Sequence, residues 1–146
     1  MAPQDPKELV RRYFEAIWDR GDLDAIDQLF SPDFVRHAPA LEGGDVRGPE
    51  GLKQLVRMYR GSFPDLRVPI DEQVAEGDVV VTRWTAHGTH QGELMGAAPT
   101  GRRVTVPGIL IDRVAGGRIT EEWASYDALR MLQDLGVVPA LASPSG

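Results

Sequence analysis

Apolar residues in the first part of the chain recur every three or four positions, which predicts amphipathic helices. Each predicted helix follows a sequence that favours helix starts, such as Asp5-Pro6. Each ends at a glycine or at a breaker such as Ser31-Pro32-Asp33. The three helices are expected at residues 5–21, 22–30 and 48–61. The first carries the bulkiest apolar stripe, with Tyr13, Phe14 and Trp18.

After Phe63 the apolar period falls to about two residues, which predicts strands. The strands are expected at residues 66–70, 78–90, 103–114 and 118–126. The connections at Gly77 and Gly116-Gly117 have hairpin length, so these strands are expected to be antiparallel. A last helix is expected between Asp127 and Gly136. Helices followed by antiparallel strands predict an α+β fold, with the helices packed on one face of a curved sheet.

Composition and charge limit the possible functions. With 146 residues, 42% of them apolar and 26% charged, the chain is expected to form a single globular domain over residues 1–146. A disordered tail is predicted from about residue 140. The net charge of −6, with scattered basic residues, argues against binding to nucleic acid. The start of the chain lacks an apolar run, so no signal peptide or membrane anchor is predicted and a cytoplasmic location is expected.

The last predicted strand carries the main candidates for chemistry. Alternation places Glu121 and Trp123 on the same face as Ile119, and the apolar pair makes this face the better candidate for the core. Asp127 joins this face if the strand extends that far. A carboxyl group buried beside Trp123 would have a raised pKa and could act as a general acid or base. Alternatively, Asp127 only caps the next helix, although one carboxylate can do both.

Metal and nucleotide sites find little support. His87 and His90 lie three positions apart on a predicted strand and therefore point to opposite faces, so a shared metal is not expected. The chain has no cysteine, which excludes disulfides, thiolate catalysis and cysteine-based metal sites. The glycines match neither a phosphate loop nor a dinucleotide-binding motif, so no nucleotide cofactor is predicted.

Seven short sequences occur in a characteristic order along nearly the whole chain. They are His37-Ala38-Pro39, Phe63-Pro64-Asp65-Leu66, Glu76-Gly77-Asp78-Val79-Val80, Gly88-Thr89-His90-Gln91-Gly92, Pro99-Thr100-Gly101-Arg102, Gly117-Arg118-Ile119-Thr120-Glu121-Glu122-Trp123 and Leu135-Gly136-Val137. In this order the chain resembles the SnoaL-like polyketide cyclases of the nuclear-transport-factor-like superfamily. The resemblance implies a cone-shaped α+β barrel, in which N-terminal helices close a deep apolar pocket inside a strongly curved, mainly antiparallel sheet. It also implies a homodimer or homotetramer without cofactor or metal.

The resemblance further implies a lyase or isomerase type of enzyme that closes a ring of an apolar or aromatic polyketide by intramolecular aldol chemistry. The matching acid/base position is Asp127, which is expected to remove a proton and return it to the new alkoxide. His37 or His90 is expected to donate a hydrogen bond to a substrate oxygen. Substrate-binding residues are expected among Trp123, Glu121, Tyr13, Phe14, Trp18, Tyr59 and Trp84.

Two alternatives remain open. The same pocket could catalyse isomerisation, dehydration or epoxide opening, and the last would need a cluster such as Asp112, Arg113 and Asp127. Neighbouring residues on a strand face opposite ways, which weakens that cluster. The non-enzyme alternative is a ligand-binding or dimerisation module. A deep cavity with Asp127 exposed inside it would favour catalysis, whereas a filled core with Asp127 bonded only to helix amides would favour the module.

Overall fold

The computed structural model describes residues 5–139, and the tail predicted from residue 140 lies outside them. The helices are α1 (Pro6–Tyr13), α2 (Asp24–Leu29), α3 (Gly48–Ser62) and α4 (Ala128–Asp134). Asp5 caps α1 as predicted, because its carboxylate accepts a hydrogen bond from the Lys7 amide at 3.0 Å. Within the described residues, no helix has the length and apolar character needed to cross a membrane.

The first helix changes geometry after α1 and continues as a π-helical segment, Phe14–Asp19. A π turn places residues five apart above one another. Trp18 therefore lies over Tyr13, and its indole Nε1 donates to the Tyr13 hydroxyl at 2.9 Å. The apolar stripe predicted for this helix is buried against the sheet.

The strands form one six-stranded sheet with the order β2-β1-β6-β5-β4-β3. They are β1 (Phe30–His37), β2 (Val46–Arg47), β3 (Ile70–Glu76), β4 (Val79–Thr89), β5 (Arg103–Ala115) and β6 (Arg118–Tyr126). The antiparallel pairing predicted for the hairpin-connected strands is confirmed. β1, however, pairs parallel with β6, because it reaches the sheet from α2 rather than through a hairpin. The α+β prediction, with helices packed on one face of the sheet, is confirmed.

Two boundaries differ from the prediction. Phe30, expected at the end of a helix, has an extended backbone and begins β1. Of the strand expected over residues 66–70, only Ile70 belongs to a strand, because Pro69 has no amide hydrogen to continue the ladder. Leu66 and Val68 are nevertheless buried in the segment that precedes β3.

The prediction for the two faces of β6 is wrong. The β5–β6 register shifts at Thr120, which has no partner in β5, and such a bulge reverses the alternation of side chains. Ile119 is buried before the shift, and Glu122 is buried after it. Glu121 and Trp123 consequently lie on the outer face of the sheet, where both are partly exposed.

Candidate active site

An apolar cavity lies between the helices and the inner face of the sheet. Its volume is about 70 Å³, several times the ~10–15 Å³ that one enclosed water needs, so this part of the core is not filled. Most of its wall consists of aromatic and aliphatic side chains. The polar exceptions are Arg36 from β1, Glu42 from a 3₁₀ turn that follows Pro39, Tyr59 from α3 and Tyr126 at the end of β6.

These four polar residues form one hydrogen-bonded group. The Glu42 carboxylate accepts hydrogen bonds from the hydroxyls of Tyr59, at 2.9 Å, and Tyr126, and the two hydroxyls also contact each other. Arg36 Nη2 lies 3.3 Å from Glu42 Oε1. The side chain of Glu42 has no solvent exposure, so its charge is stabilised by these donors rather than by water.

Burial, together with the charge of Glu42, raises the pKa of both tyrosines. Burial is the largest cause for each of them. Both hydroxyls therefore stay protonated at neutral pH, and Tyr59 and Tyr126 act as neutral donors to the carboxylate.

A second pair of acids lies behind Arg36. Arg36 Nη1 bonds Glu122 Oε1, and Asp112 stands directly opposite Glu122 in the β5–β6 register. Asp112 and Glu122 are both completely buried. Burial, and then the charge of Glu122, raise the pKa of Asp112 well above its ordinary value, so the pair keeps one proton.

Arg36 balances both carboxylates. Burial lowers its pKa, but the charges of Glu122 and Glu42 outweigh burial and raise it overall. Arg36 is therefore positively charged at any pH at which the protein folds. Tyr13 supports this arrangement from the helix side, because its hydroxyl lies 3.2 Å from Glu122 Oε1.

Asp127 lies outside this group. Its side chain is exposed and its Oδ1 accepts a hydrogen bond from the Arg130 amide at 3.0 Å, which caps α4. It does not contribute to the cavity wall. The capping interpretation has its contact in the structure, and a catalytic role for Asp127 stays a prediction.

His37 lies on the outer face of the sheet. Its Nε2 is 2.7 Å from Glu121 and its Nδ1 is 3.2 Å from Asp45, while the ring stacks on Trp123 at a centroid distance of 5.3 Å. The hydrogen bond with Glu121 is the main reason that the pKa of His37 is raised. His37, Glu121 and Trp123, each predicted as a site residue, lie together on the side of the sheet that faces away from the cavity.

His90 is completely buried and lies one layer behind the cavity wall. Its Nδ1 accepts a hydrogen bond from the Thr100 amide at 3.2 Å. Its Nε2 has no hydrogen-bond partner among residues 5–139. The ring packs against Phe63, which lines the cavity, at a centroid distance of 5.7 Å.

Four of the predicted substrate-binding residues do line the cavity. They are Phe14, Trp18, Tyr59 and Trp84. Tyr13 lies behind the wall. Arg36, Glu42, Tyr126 and Glu122 were not among the predicted site residues, and Asp112 was considered only for epoxide opening. Glu122 and Tyr126 share a face of β6 that could have been chosen instead, whereas Glu42 lies in an irregular turn without any periodic signal.

Comparison with known proteins agrees with the fold. Residues 8–135 match the profile of the SnoaL-like polyketide cyclase family. Nogalonic acid methyl ester cyclase of Streptomyces nogalater is 30% identical over 80% of this chain and 90% of its own length. Aklanonic acid methyl ester cyclase of Streptomyces peucetius is 26% identical over 82% of this chain and 83% of its own length.

A solved structure gives the same result. The crystal structure of wild-type IdmH from Streptomyces antibioticus, assigned as a polyketide cyclase, shares 35% sequence identity and superimposes with a TM-score of 0.80. The match covers 91% of this chain and 99% of IdmH. The resemblance seen in the sequence motifs is thereby confirmed, and the chain belongs to the SnoaL-like polyketide cyclase family.

Proposed function

We propose that this protein is a cofactor-independent polyketide cyclase that closes a ring by intramolecular aldol chemistry, with a carboxylate of the cavity as general acid/base. Membership of the family and the unfilled apolar cavity support the type of reaction. The observation that carries the proposal is Glu42. Among residues 5–139 it is the one carboxylate on the cavity wall, and two tyrosine hydroxyls and an arginine hold it in place.

The reaction needs only proton transfers and one new carbon–carbon bond. Glu42 removes a proton from a carbon next to a ketone, and the electron pair moves onto the ketone oxygen as an enolate. The enolate carbon then attacks a second carbonyl carbon of the same molecule. The resulting alkoxide takes the proton back from Glu42, so that atoms and charge balance without a cofactor.

The substrate class follows from the cavity and the relatives. An apolar cavity with aromatic walls suits a flat, aromatic polyketide. An enolate conjugated with an aromatic ring also requires less stabilisation by the protein. We therefore expect substrates similar to those named for the relatives, nogalonic and aklanonic acid methyl esters.

The decisive experiment compares Glu42→Gln with Asp127→Asn, using these two methyl esters and chromatography of the cyclised product. Glu42→Gln keeps the size and shape of the side chain but removes the carboxylate that acts as the base. A drop in kcat of about 100-fold or more is expected. Asp127→Asn should retain most of the activity if Asp127 only caps α4. Glu50→Gln, an exposed change of the same type on α3, controls for the substitution itself.

The reverse outcome would assign the acid/base role to Asp127. In that case Asp127→Asn would abolish turnover while substrate binding persists, and Glu42→Gln would remain active. If both variants remained active, neither carboxylate would be the acid/base of the reaction.

Epoxide opening is a second candidate reaction, favoured by one observation. Arg36 lies between two carboxylates, Glu42 and Glu122, at the wall of an apolar cavity. Such a cluster can position a water for attack while an acid protonates the epoxide oxygen. It differs from the cluster considered from the sequence, because Arg113 points outward and is exposed. Diol formation from terpenoid epoxides, without cyclisation of either polyketide ester, would favour this reaction.

The outer face of the sheet supports assembly into a homodimer or homotetramer. Val74, Val81, Ile111 and Trp123 stand side by side in register across β3, β4, β5 and β6. Val74 is 56% exposed and Ile111 is 36% exposed, which leaves an apolar row open to solvent. Ile111→Glu is expected to convert the assembly to monomers in light scattering, whereas a monomeric wild-type protein would refute it.

A further inference from the structure

Trp84 carries an indole N–H donor that no other residue among residues 5–139 uses. It lies on β4, lines the cavity and is almost completely buried. Its indole Nε1 is enclosed and has no hydrogen-bond partner within residues 5–139. A buried indole N–H nearly always has a partner, so an unpaired one beside a cavity suggests that a bound molecule supplies the acceptor.

Trp18 provides a comparison within the same cavity. Its ring also lines the wall, but its Nε1 donates to the Tyr13 hydroxyl at 2.9 Å. The two indoles therefore differ in one respect: the donor of Trp18 is used by the protein and the donor of Trp84 is not. His90 also has an unpaired ring nitrogen, but His90 does not line the cavity.

Gly108 fixes the position of the Trp84 ring. It stands directly opposite Trp84 in the β4–β5 register, and a methyl group added there would lie 2.2 Å from the indole carbon Cζ2. Glycine thus gives the indole room to lie across β5. On its other side the ring approaches Tyr126, at a centroid distance of 6.1 Å, and the Tyr126 hydroxyl bonds Glu42. Tyr126 therefore contacts both the Trp84 ring and the Glu42 carboxylate.

We propose that Trp84 Nε1 donates the hydrogen bond to the substrate oxygen on which the enolate charge develops. This inference rests on the proposed cyclase function, because the acceptor that it assigns to Trp84 Nε1 is the enolate oxygen formed in that reaction. A neutral donor in a water-poor cavity stabilises an enolate oxygen more than the ketone oxygen from which it forms.

The first test observes the donor directly. The chain has three tryptophans, so protein labelled with ¹⁵N at the indole nitrogen gives three N–H signals. Trp18→Phe and Trp123→Phe assign two of the signals, and the third belongs to Trp84 even if its own variant does not fold. Alizarin, a flat hydroxyanthraquinone with ketone and phenolate oxygens, serves as the probe. A downfield shift of the Trp84 signal is expected, and an unmoved signal or an absence of alizarin binding would overturn the proposal.

The second test measures turnover of the two methyl esters. Trp84→Phe keeps an aromatic ring and removes the donor, so kcat and kcat/KM should fall together by about tenfold or more. Trp18→Phe removes an N–H that already has a partner and should reduce kcat less. A Trp84→Phe variant that changes only KM, or that loses no more kcat than Trp18→Phe, would overturn the proposal.

The two tests separate the failure of this inference from the failure of the proposed function. If alizarin shifts the Trp84 signal but the wild-type protein cyclises neither ester, Trp84 is supported as a donor to a ligand and the proposed cyclase reaction is rejected. If the wild-type protein cyclises an ester and the Trp84 signal does not move, the proposed cyclase reaction is supported and the role of Trp84 as donor is rejected.

Discussion

Replacing Asp112 with asparagine is predicted to make the stability of the protein less dependent on pH. Asp112 and Glu122 are completely buried and stand opposite each other on the neighbouring strands β5 and β6. Because burial and Glu122 raise the pKa of Asp112, the folded protein keeps a proton that the unfolded chain loses above about pH 4. The folded state then binds more protons than the unfolded state, so the free energy of unfolding falls as pH rises toward the raised pKa.

The size of this effect follows from one proton. A difference of one bound proton changes the free energy of unfolding by about 1.4 kcal/mol per pH unit. A proton that is retained throughout the range from pH 5 to pH 7 therefore lowers the free energy of unfolding by roughly 3 kcal/mol over these two pH units. Asp112→Asn keeps the size of the side chain but takes up no proton. The part of the slope that Asp112 causes should therefore disappear.

Urea unfolding at pH 5, 6 and 7 measures the slope for both proteins. Other groups that titrate in this range, including His37 with its raised pKa, are common to both and cancel in the comparison. The free energy of wild-type unfolding should fall more steeply with pH than that of Asp112→Asn. Parallel lines for the two proteins would refute the argument that the acid pair holds a proton.

Two further predictions concern groups outside the acid pair. The Thr89 amide and hydroxyl donate hydrogen bonds to the Asp65 carboxylate at 2.7 and 2.8 Å and lower its pKa. The ionised carboxylate therefore stabilises the folded state above about pH 4, and this stabilisation is lost as pH falls through the lowered pKa. Asp65→Asn should therefore flatten acid unfolding below pH 4 and leave the slope between pH 5 and 7 unchanged, and an unaltered acid midpoint would contradict this. Gly108→Ala should destabilise the protein by about 1–3 kcal/mol in urea unfolding, because its methyl group would collide with Trp84. Gly61→Ala in α3, where the added methyl meets no atom within 4 Å, is the control and should be neutral or stabilising.

The parts of the fold that could be predicted are those with local causes. Caps, breakers and hairpin turns act over a few residues, and they located the helices and the two antiparallel pairings of the hairpin-connected strands. The parallel pairing of β1 with β6 joins segments that are far apart in the chain, and no local signal specifies it. The bulge at Thr120 is a single-residue event with a large effect, since it decides whether Glu121 or Glu122 enters the core.

The same distinction applies to the candidate site. Phe14, Trp18 and Trp84 belong to regular apolar stripes, so their place on the cavity wall could be anticipated. Glu42 lies in a short turn where residue type carries no information about direction. Only the three-dimensional structure brings that turn over the end of the cavity, against Tyr59 and Tyr126.

The charges around the cavity lead to a prediction about substrate choice. Arg36 carries one positive charge, Glu42 one negative charge, and the Asp112–Glu122 pair one negative charge because it shares a proton. The group therefore has a net charge of minus one at the wall of an apolar cavity. A second negative charge brought into the cavity with the substrate has no cation of its own to pair with there.

A polyketide with a free carboxylate should consequently bind more weakly than its methyl ester. For a substrate carboxylate about 8 Å from the net negative charge of this group, with an effective dielectric constant of about 20, the repulsion amounts to about 2 kcal/mol. This corresponds to about 30-fold in Kd. Calorimetric titration of aklanonic acid and its methyl ester measures this ratio directly. Glu42→Gln removes one of the two negative charges and should bring the two Kd values close together. Equal affinity of the wild-type protein for acid and ester would show that the acid pair and Glu42 do not leave the cavity negatively charged.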